Sequence, residues 1–190
     1  MRIMKSMLVA CLAGTVLMLA GCAKAPEKEI AEAKMSIDKA KAVEAEKYAS
    51  EKMDAAKTAL EAALSEIKVQ EAKNALSRKY EIVKKKLLEA KGLAEDAVKE
   101  APVRKEEIRK EVETLIGQAD KAVSEAKSAL KTAPKKMKKA AQEVQKALPD
   151  VEKMVADAKT AFNGSELSSA KEMANKAIMH VQELLKKIKK

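Results

Sequence analysis

Aromatic residues, glycine, proline and cysteine are all scarce in this chain of 190 residues. It has two Tyr, one Phe and no Trp, with five Gly, four Pro and two Cys. Sheet proteins need frequent turns and many aromatic or β-branched residues, so this composition argues against an all-β or a mixed α/β enzyme. Alanine, glutamate, lysine and leucine dominate instead, and that is the composition of long helices and coiled coils.

Intrinsic disorder is the competing interpretation, because 36% of the residues are charged and large apolar side chains are few. Apolar residues nevertheless recur at alternating spacings of three and four, the signature of helices that bury one narrow face. Four series keep this phase: Met53, Ala56, Leu60, Ala63 and Ile67; Leu76, Tyr80, Val83, Leu87, Ala90, Ala94 and Ala97; Ile108, Val112, Leu115, Ala119, Ala122, Ala126 and Ala129; and Leu167, Ala170, Ala174, Ala177, Val181, Leu184 and Ile188. We therefore predict an all-α fold of elongated antiparallel helical hairpins, or a coiled-coil-like bundle.

Helix breaks are predicted where prolines and capping residues lie. Pro102 fits the first turn of a helix that runs to about Leu130, and Pro149 fits the start of a further segment. In the turn 163–165, Gly164 suits a C-terminal cap and Ser165 the next N-cap. Further breaks are expected near Pro134, at Ala49-Ser50 and in a kink or short turn near residues 65–71.

The amino-terminal segment has the layout of a secretory signal peptide. Arg2 and Lys5 precede a stretch, residues 6–23, that carries no charge. The stretch contains Leu19-Ala20-Gly21-Cys22, which resembles the lipobox of bacterial lipoproteins. That resemblance implies cleavage before Cys22, a diacylglyceryl group on its thiol and an acylated amino terminus. An uncleaved membrane-spanning helix is the alternative, because the uncharged stretch just reaches spanning length.

The resemblance also implies where the mature protein resides. Ala23 follows the cysteine where an Asp would resemble the inner-membrane retention signal. We therefore expect a lipid anchor, palmitate included, on the periplasmic face of the outer membrane in a Gram-negative cell, and otherwise on the outer face of the cell membrane. Two or three acyl chains hold a protein on a bilayer essentially permanently. Cys11 leaves with the signal and the thiol of Cys22 is acylated, so no free thiol remains for a disulfide.

A basic cluster of six lysines carries much of the excess positive charge. Loss of the signal leaves 37 basic and 29 acidic side chains, a net charge of +8. The cluster consists of Lys131, Lys135, Lys136, Lys138, Lys139 and Lys146, with Glu143 as the one acidic side chain among them. Segment 131–141 resembles a linker-histone tail, which would suggest nucleic acid as the partner. The predicted export from the cytoplasm argues against that partner. Lipid head groups, lipopolysaccharide phosphates and peptidoglycan carboxylates are the expected polyanions, and a merely solvated helix face is the alternative.

Groups that carry enzyme chemistry are almost absent from the sequence. His180 is the single histidine, and no cysteine or convergent carboxylate accompanies it, so we expect no metal site. No glycine-rich phosphate loop and no strand-turn-helix elbow around a serine is present. We expect neither catalysis nor a cofactor.

Residues 30–100, centred on segment 42–63, resemble a family of alanine-rich helical-hairpin domains of bacterial lipoproteins. The function of that family is unknown, and its hairpins are loosely similar to tetratricopeptide repeats. We expect residues 1–21 to be a cleaved signal, 22–28 a lipidated tether, 29–100 the alanine-rich hairpin region and 101–190 a C-terminal helical region.

The sequence favours a lipid-anchored helical scaffold that contacts an envelope protein or a cell-wall polyanion. One alternative is a covalent tether, because the chain ends on Lys190 and so is similar to the major small outer-membrane lipoprotein, whose terminal Lys is joined to peptidoglycan. The other is an amphipathic lipid-binding protein whose helices open onto a bilayer.

Overall fold

The structure, a computed structural model, describes residues 24–188. Those residues form six α-helices joined by turns, two of which contain a short 3-10 segment, and the all-α prediction is confirmed. The helices are α1 (Glu27–Ala42), α2 (Ala45–Tyr48), α3 (Ser50–Glu71), α4 (Glu81–Thr132), α5 (Lys138–Asn163) and α6 (Leu167–Ile188), and the 3-10 segments are Ala75–Ser77 and Lys135–Met137.

The chain forms two compact units, which divide between Pro102 and Val103. Helix α4 is continuous through this point, so its residues 81–102 belong to the first unit and its residues 103–132 to the second.

The first unit packs α1, α3 and the first part of α4 around a core rich in alanine. One cluster of buried residues joins Ala33 of α1 to Ala63 of α3 and Ala90 of α4. A second cluster joins Ala40 to Met53 and the later residues of α4, and seven of its nine buried members are alanine. Since the start of α1 lies beside the end of α3, these two helices are antiparallel.

Ion pairs between helices lie on the surface of this unit. Lys91 of α4 is 2.8 Å from Glu32 of α1, and Lys52 of α3 is 2.8 Å from Glu100 of α4. Such half-exposed pairs contribute little individually, so burial of the apolar faces, which include Met53 and Leu87 as well as the alanines, supplies most of the packing energy.

Helix α1 begins at Glu27, two residues before the predicted start of the helical region at residue 29. Pro26 is buried and accepts a backbone hydrogen bond from Ile30, and Ile30 packs on the core. Glu27 and Glu29 lie in the first turn, where carboxylates interact favourably with the positive end of the helix dipole. Residues 27 and 28, which we expected to belong to the tether, are therefore the first residues of α1.

The turn between α3 and α4 lies later than predicted, at residues 72–80 rather than 65–71. Helix α3 continues to Glu71 because Ile67 and Gln70 are buried on its inner face. Leu76, which the periodicity assigns to the core, is 91% exposed in this turn, whereas Tyr80 and the next five members of its series are buried.

The second unit packs the remainder of α4 with α5 and α6 around larger side chains. Its buried cluster of eleven residues is mainly Val, Leu and Ile, with three alanines. Asp120 of α4 is 2.8 Å from Lys159 of α5, and Lys127 is 2.9 Å from Glu152. These pairings run in opposite chain directions, so α4 and α5 are antiparallel.

The apolar series predicted for the last helix is confirmed in full, since all seven members from Leu167 to Ile188 are buried. The series from Ile108 is confirmed only in part. Val112, Ala119 and Ala126 are buried, but Ile116 and Val123 are buried as well. The inner face of α4 in this unit is therefore wider than one narrow stripe.

Two of the predicted helix breaks are wrong, because Pro102 lies inside α4 and Pro149 inside α5. Each proline is exposed, so its ring points away from the core. Leu148 and Val151, which flank Pro149, are both buried. Burial of two such side chains, at about 1.5 to 3 kcal/mol each, offsets the cost of about 3 kcal/mol for a proline in a helix. The break near Pro134 is present between α4 and α5.

The turn at Gly164 is present and Gly164 is the C-cap of α5, as predicted, but the role of Ser165 differs from the predicted one. Ser165, not Gly164, takes the left-handed conformation, with φ of 62°. The Glu166 N–H donates to Ala161 O at 2.9 Å and the Ser165 N–H donates to Phe162 O at 3.1 Å. This is the Schellman pattern of hydrogen bonds, and it makes Ser165 the residue that follows the C-cap rather than an N-cap.

Candidate functional site

The residues of the predicted lipid attachment lie outside the described part of the chain. This applies to Cys22 and to the preceding Leu19, Ala20 and Gly21. It applies also to Lys190, the residue of the proposed covalent tether.

The basic cluster lies where α4 ends and α5 begins. Lys131 is in the last turn of α4, Lys135 and Lys136 are in the 3-10 segment, and Lys138 and Lys139 are the first two residues of α5. Lys146 follows two turns later, and all six side chains are exposed. The helix–turn–helix connection therefore brings together five of the six lysines over nine residues of chain.

The local electrostatics of this connection favour an anion. The first turn of α5 contains no acidic residue, and no side chain of the described residues caps its amino terminus. Lysines at this position add positive charge to the positive end of the helix dipole, which is the unfavourable placement for a cation. Within residues 24–188, none of the six lysines forms an ion pair within 4.0 Å. A bound polyanion would remove this repulsion.

The acidic residue of the cluster is already engaged by the last helix. Glu143 Oε2 is 3.5 Å from Lys187 Nζ of α6. Antiparallel packing of α5 and α6 thus brings Lys187 and its neighbour Lys186 to the end of the second unit that carries the basic cluster. Counting charges along the sequence does not place these two lysines beside the basic cluster, whereas pairing the last two helices as a hairpin would have done so.

Side chains that could bind a metal do not converge in the part of the chain that the structure describes. No three side chains among its His, Cys, Asp and Glu are placed to hold a metal ion. His180 is exposed on α6.

Across residues 24–188, no helix combines the length and the apolar character that crossing a bilayer requires.

A shallow groove on the second unit lies between α4 and α5. Its charged side chains are Asp120, Lys127, Glu152 and Lys159. They neutralise one another in two ion pairs, so the groove presents no unpaired charge to a ligand.

Comparison of the chain with protein-family models, with curated proteins and with solved structures gives no match.

Proposed function

We propose that this protein is a lipid-anchored scaffold of the bacterial cell envelope, attached through Cys22 and facing the periplasm. One observation carries the proposal: Leu19-Ala20-Gly21-Cys22 closes an uncharged stretch that follows Arg2 and Lys5. Small residues before the cysteine suit a signal peptidase, and the cysteine supplies the thiol for acylation. The proposed role is structural and binding, without catalysis.

We further propose that the basic cluster contacts a polyanion of the envelope, either peptidoglycan or lipopolysaccharide. The exposed lysines and the uncompensated amino terminus of α5 support this role. Because lysines attract phosphates and carboxylates as point charges, the contact needs no shaped pocket.

Metabolic labelling with radioactive palmitate tests the attachment. We expect label in the full-length wild type and none in the Cys22→Ala variant, and we expect the wild type in the outer-membrane fraction. Full-length protein in the cytosol with its signal intact would contradict the proposed localisation and reopen nucleic acid as a partner.

Cosedimentation with purified peptidoglycan or lipopolysaccharide tests the polyanion contact. We expect replacement of Lys135, Lys136, Lys138 and Lys139 by Gln to weaken binding at low salt by at least about tenfold, since each lysine near an anionic surface contributes about 1 kcal/mol. The matched control replaces four exposed lysines elsewhere, Lys34, Lys39, Lys121 and Lys153. Equal binding by the two variants would remove the basic cluster from the proposal.

A further inference from the structure

We propose that the end of the first unit that carries the α3–α4 turn docks on the bilayer, with Leu76 inserted among the lipids. The partner is a membrane surface that contains anionic phospholipid. The orientation of this end toward the bilayer rests on the proposed lipid attachment at Cys22, and the experiments below separate the two proposals.

The α3–α4 turn and the residues around it expose large apolar side chains to solvent. Leu76 is 91% exposed, Ile82 at the start of α4 is 60% exposed, and Val69 near the end of α3 is 50% exposed. Single exposed apolar residues are ordinary on protein surfaces, but here three of them lie within residues 69–82, in and beside one short turn.

Specific hydrogen bonds hold the turn in the conformation that exposes Leu76. The Arg78 guanidinium donates to Glu71 O at 3.0 Å and to Lys73 O at 3.2 Å. Buried Gln70 accepts from the Lys79 N–H at 2.9 Å. These bonds fix both ends of the turn, so the fold itself holds Leu76 in its exposed position.

The charge around this surface complements an anionic membrane. Residues 69–86, which include all three exposed apolar residues, contain six basic side chains and two acidic side chains, a net charge of +4. Lys73, Lys79, Lys84 and Lys85 are exposed. Basic residues beside an apolar tip are the composition of segments that bind at the membrane interface.

Helix α1 begins at the same end of the unit. Ala33 of α1 packs beside Ala63 and Ala90. From that level, at 1.5 Å per residue, α1 extends about 9 Å to Glu27, α3 about 12 Å to Glu71 and α4 about 13 Å to Glu81. The α3–α4 turn therefore lies at or beyond the level at which α1 begins.

The chain between the helix and the lipid is short. Ala25 packs against the core of this end. Cys22 lies three residues before Ala25, and three residues span at most about 11 Å. A lipid chain on Cys22 thus holds the end that carries Leu76 at the bilayer surface, where burial of an exposed leucine is favourable.

Vesicle binding without the lipid tests the protein's own contribution. The mature chain from residue 22, carrying Cys22→Ala, is mixed at low salt with vesicles of phosphatidylcholine and phosphatidylglycerol at a ratio of about 7:3. We expect binding that Leu76→Glu weakens at least about tenfold, the equivalent of removing one buried leucine. Met35→Glu, at an exposed apolar position midway along α1, is the matched control and should leave binding unchanged.

A nitroxide label measures the depth of residue 76 in the lipidated protein. The sequence contains only Cys11 and Cys22, so Leu76→Cys provides the one free thiol of the mature lipidated chain. We expect a label at position 76 to be accessible to oxygen and shielded from a water-soluble relaxation agent. A label introduced by Ala42→Cys, at the other end of the unit, should remain accessible to both.

The outcomes distinguish this inference from the lipid attachment. Palmitate incorporation with residue 76 exposed to water, and vesicle binding insensitive to Leu76→Glu, would overturn the docking and leave the anchor standing. Loss of binding to an envelope protein on Leu76→Glu, with the label still in water, would assign the surface to a protein partner and also overturn it. Leu76-dependent vesicle binding without palmitate incorporation would uphold the docking surface and refute the anchor.

Discussion

Ser165 is one of two described residues, with Glu44, whose backbone is left-handed although the residue carries a Cβ atom. Its φ of 62° lies in the left-handed region, which costs a residue with a Cβ atom about 1 to 2 kcal/mol. The Schellman hydrogen bonds on both sides of Ser165 hold it there. The sequence offers a glycine one position earlier, where φ is −76° and no such freedom is needed.

We expect Ser165→Gly to raise the free energy of unfolding by about 0.5 to 1 kcal/mol, since glycine adopts the left-handed conformation without strain but loses more backbone entropy on folding. Denaturant titration followed by circular dichroism measures the change. As a control, Gly164→Ala should be neutral or slightly stabilising, because its Cβ would lie 3.5 Å from the nearest carbonyl oxygens. A loss of stability in Ser165→Gly would contradict this account of the turn.

The Glu32–Lys91 pair is the second feature that acts at the scale of single residues. A hydrogen bond from Lys91, reinforced by its charge and by that of Lys28, lowers the pKa of Glu32 below its ordinary value of 4.5. The same bond raises the pKa of Lys91 above 10.5. The pair therefore stabilises the fold at pH values between the pKa of Glu32 and the pKa of Lys91. Its contribution is lost in acid as Glu32 becomes protonated, and in strong base as Lys91 loses its proton.

We expect Glu32→Gln to reduce the loss of stability as the pH falls from about 5 through the lowered pKa of Glu32. Unfolding midpoints in urea, measured at a series of pH values, give the slope. Glu61→Gln, at an exposed residue midway along α3, is the control and should change the slope less than Glu32→Gln does. Identical pH profiles for wild type and Glu32→Gln would show that the pair contributes nothing.

At the scale of helices, the two internal prolines separate local propensity from tertiary packing. Proline at position 149 lacks the N–H that would donate to Gln145 O, and its ring crowds the preceding turn. Helix α5 continues regardless, because residues on both sides of Pro149 are buried in one core. Local sequence signals predict a break, and burial overrides them.

We expect Pro149→Ala to raise the free energy of unfolding by about 1 to 3 kcal/mol, because it restores the missing hydrogen bond and removes the clash. Pro134→Ala is the control. Pro134 lies between helices with φ of −60° and ψ of 147°, a conformation that proline favours, so this replacement should be neutral or destabilising. Chemical denaturation of both variants gives the comparison. Unchanged stability in Pro149→Ala would mean that the helix is already distorted there.

Apolar periodicity predicts the helices that bury one face along their whole length. Helix α6 is the best example, since every member of its series is buried. The same rule fails at Leu76, because spacing alone extends the series of α4 one step beyond the helix into the turn. Periodicity identifies the buried face of a helix but not the residue at which the helix ends. Here the hydrogen bonds of Gln70 and Arg78 hold the turn that separates α3 from α4.

For the whole molecule, composition was sufficient to predict the all-α class, and charge counts were sufficient to find the basic cluster. The contribution of Lys187 was not predicted, because it depends on how α5 and α6 align. The exposed turn around Leu76 was not predicted either, because apolar residues at helical spacing are usually buried. Sequence patterns thus identified groups that are close along the chain, whereas packing determines which distant groups meet.

The alanine interior of the first unit has a thermodynamic consequence. Unfolding raises the heat capacity in proportion to the apolar area that becomes exposed, and alanine exposes little. We expect scanning calorimetry to give a heat-capacity increase on unfolding below the usual value of about 12 cal/mol/K per residue. Stability should then change only gradually on cooling, so this fold would tolerate cold better than one with a core of large aliphatic side chains. A value at or above the usual one would contradict this expectation.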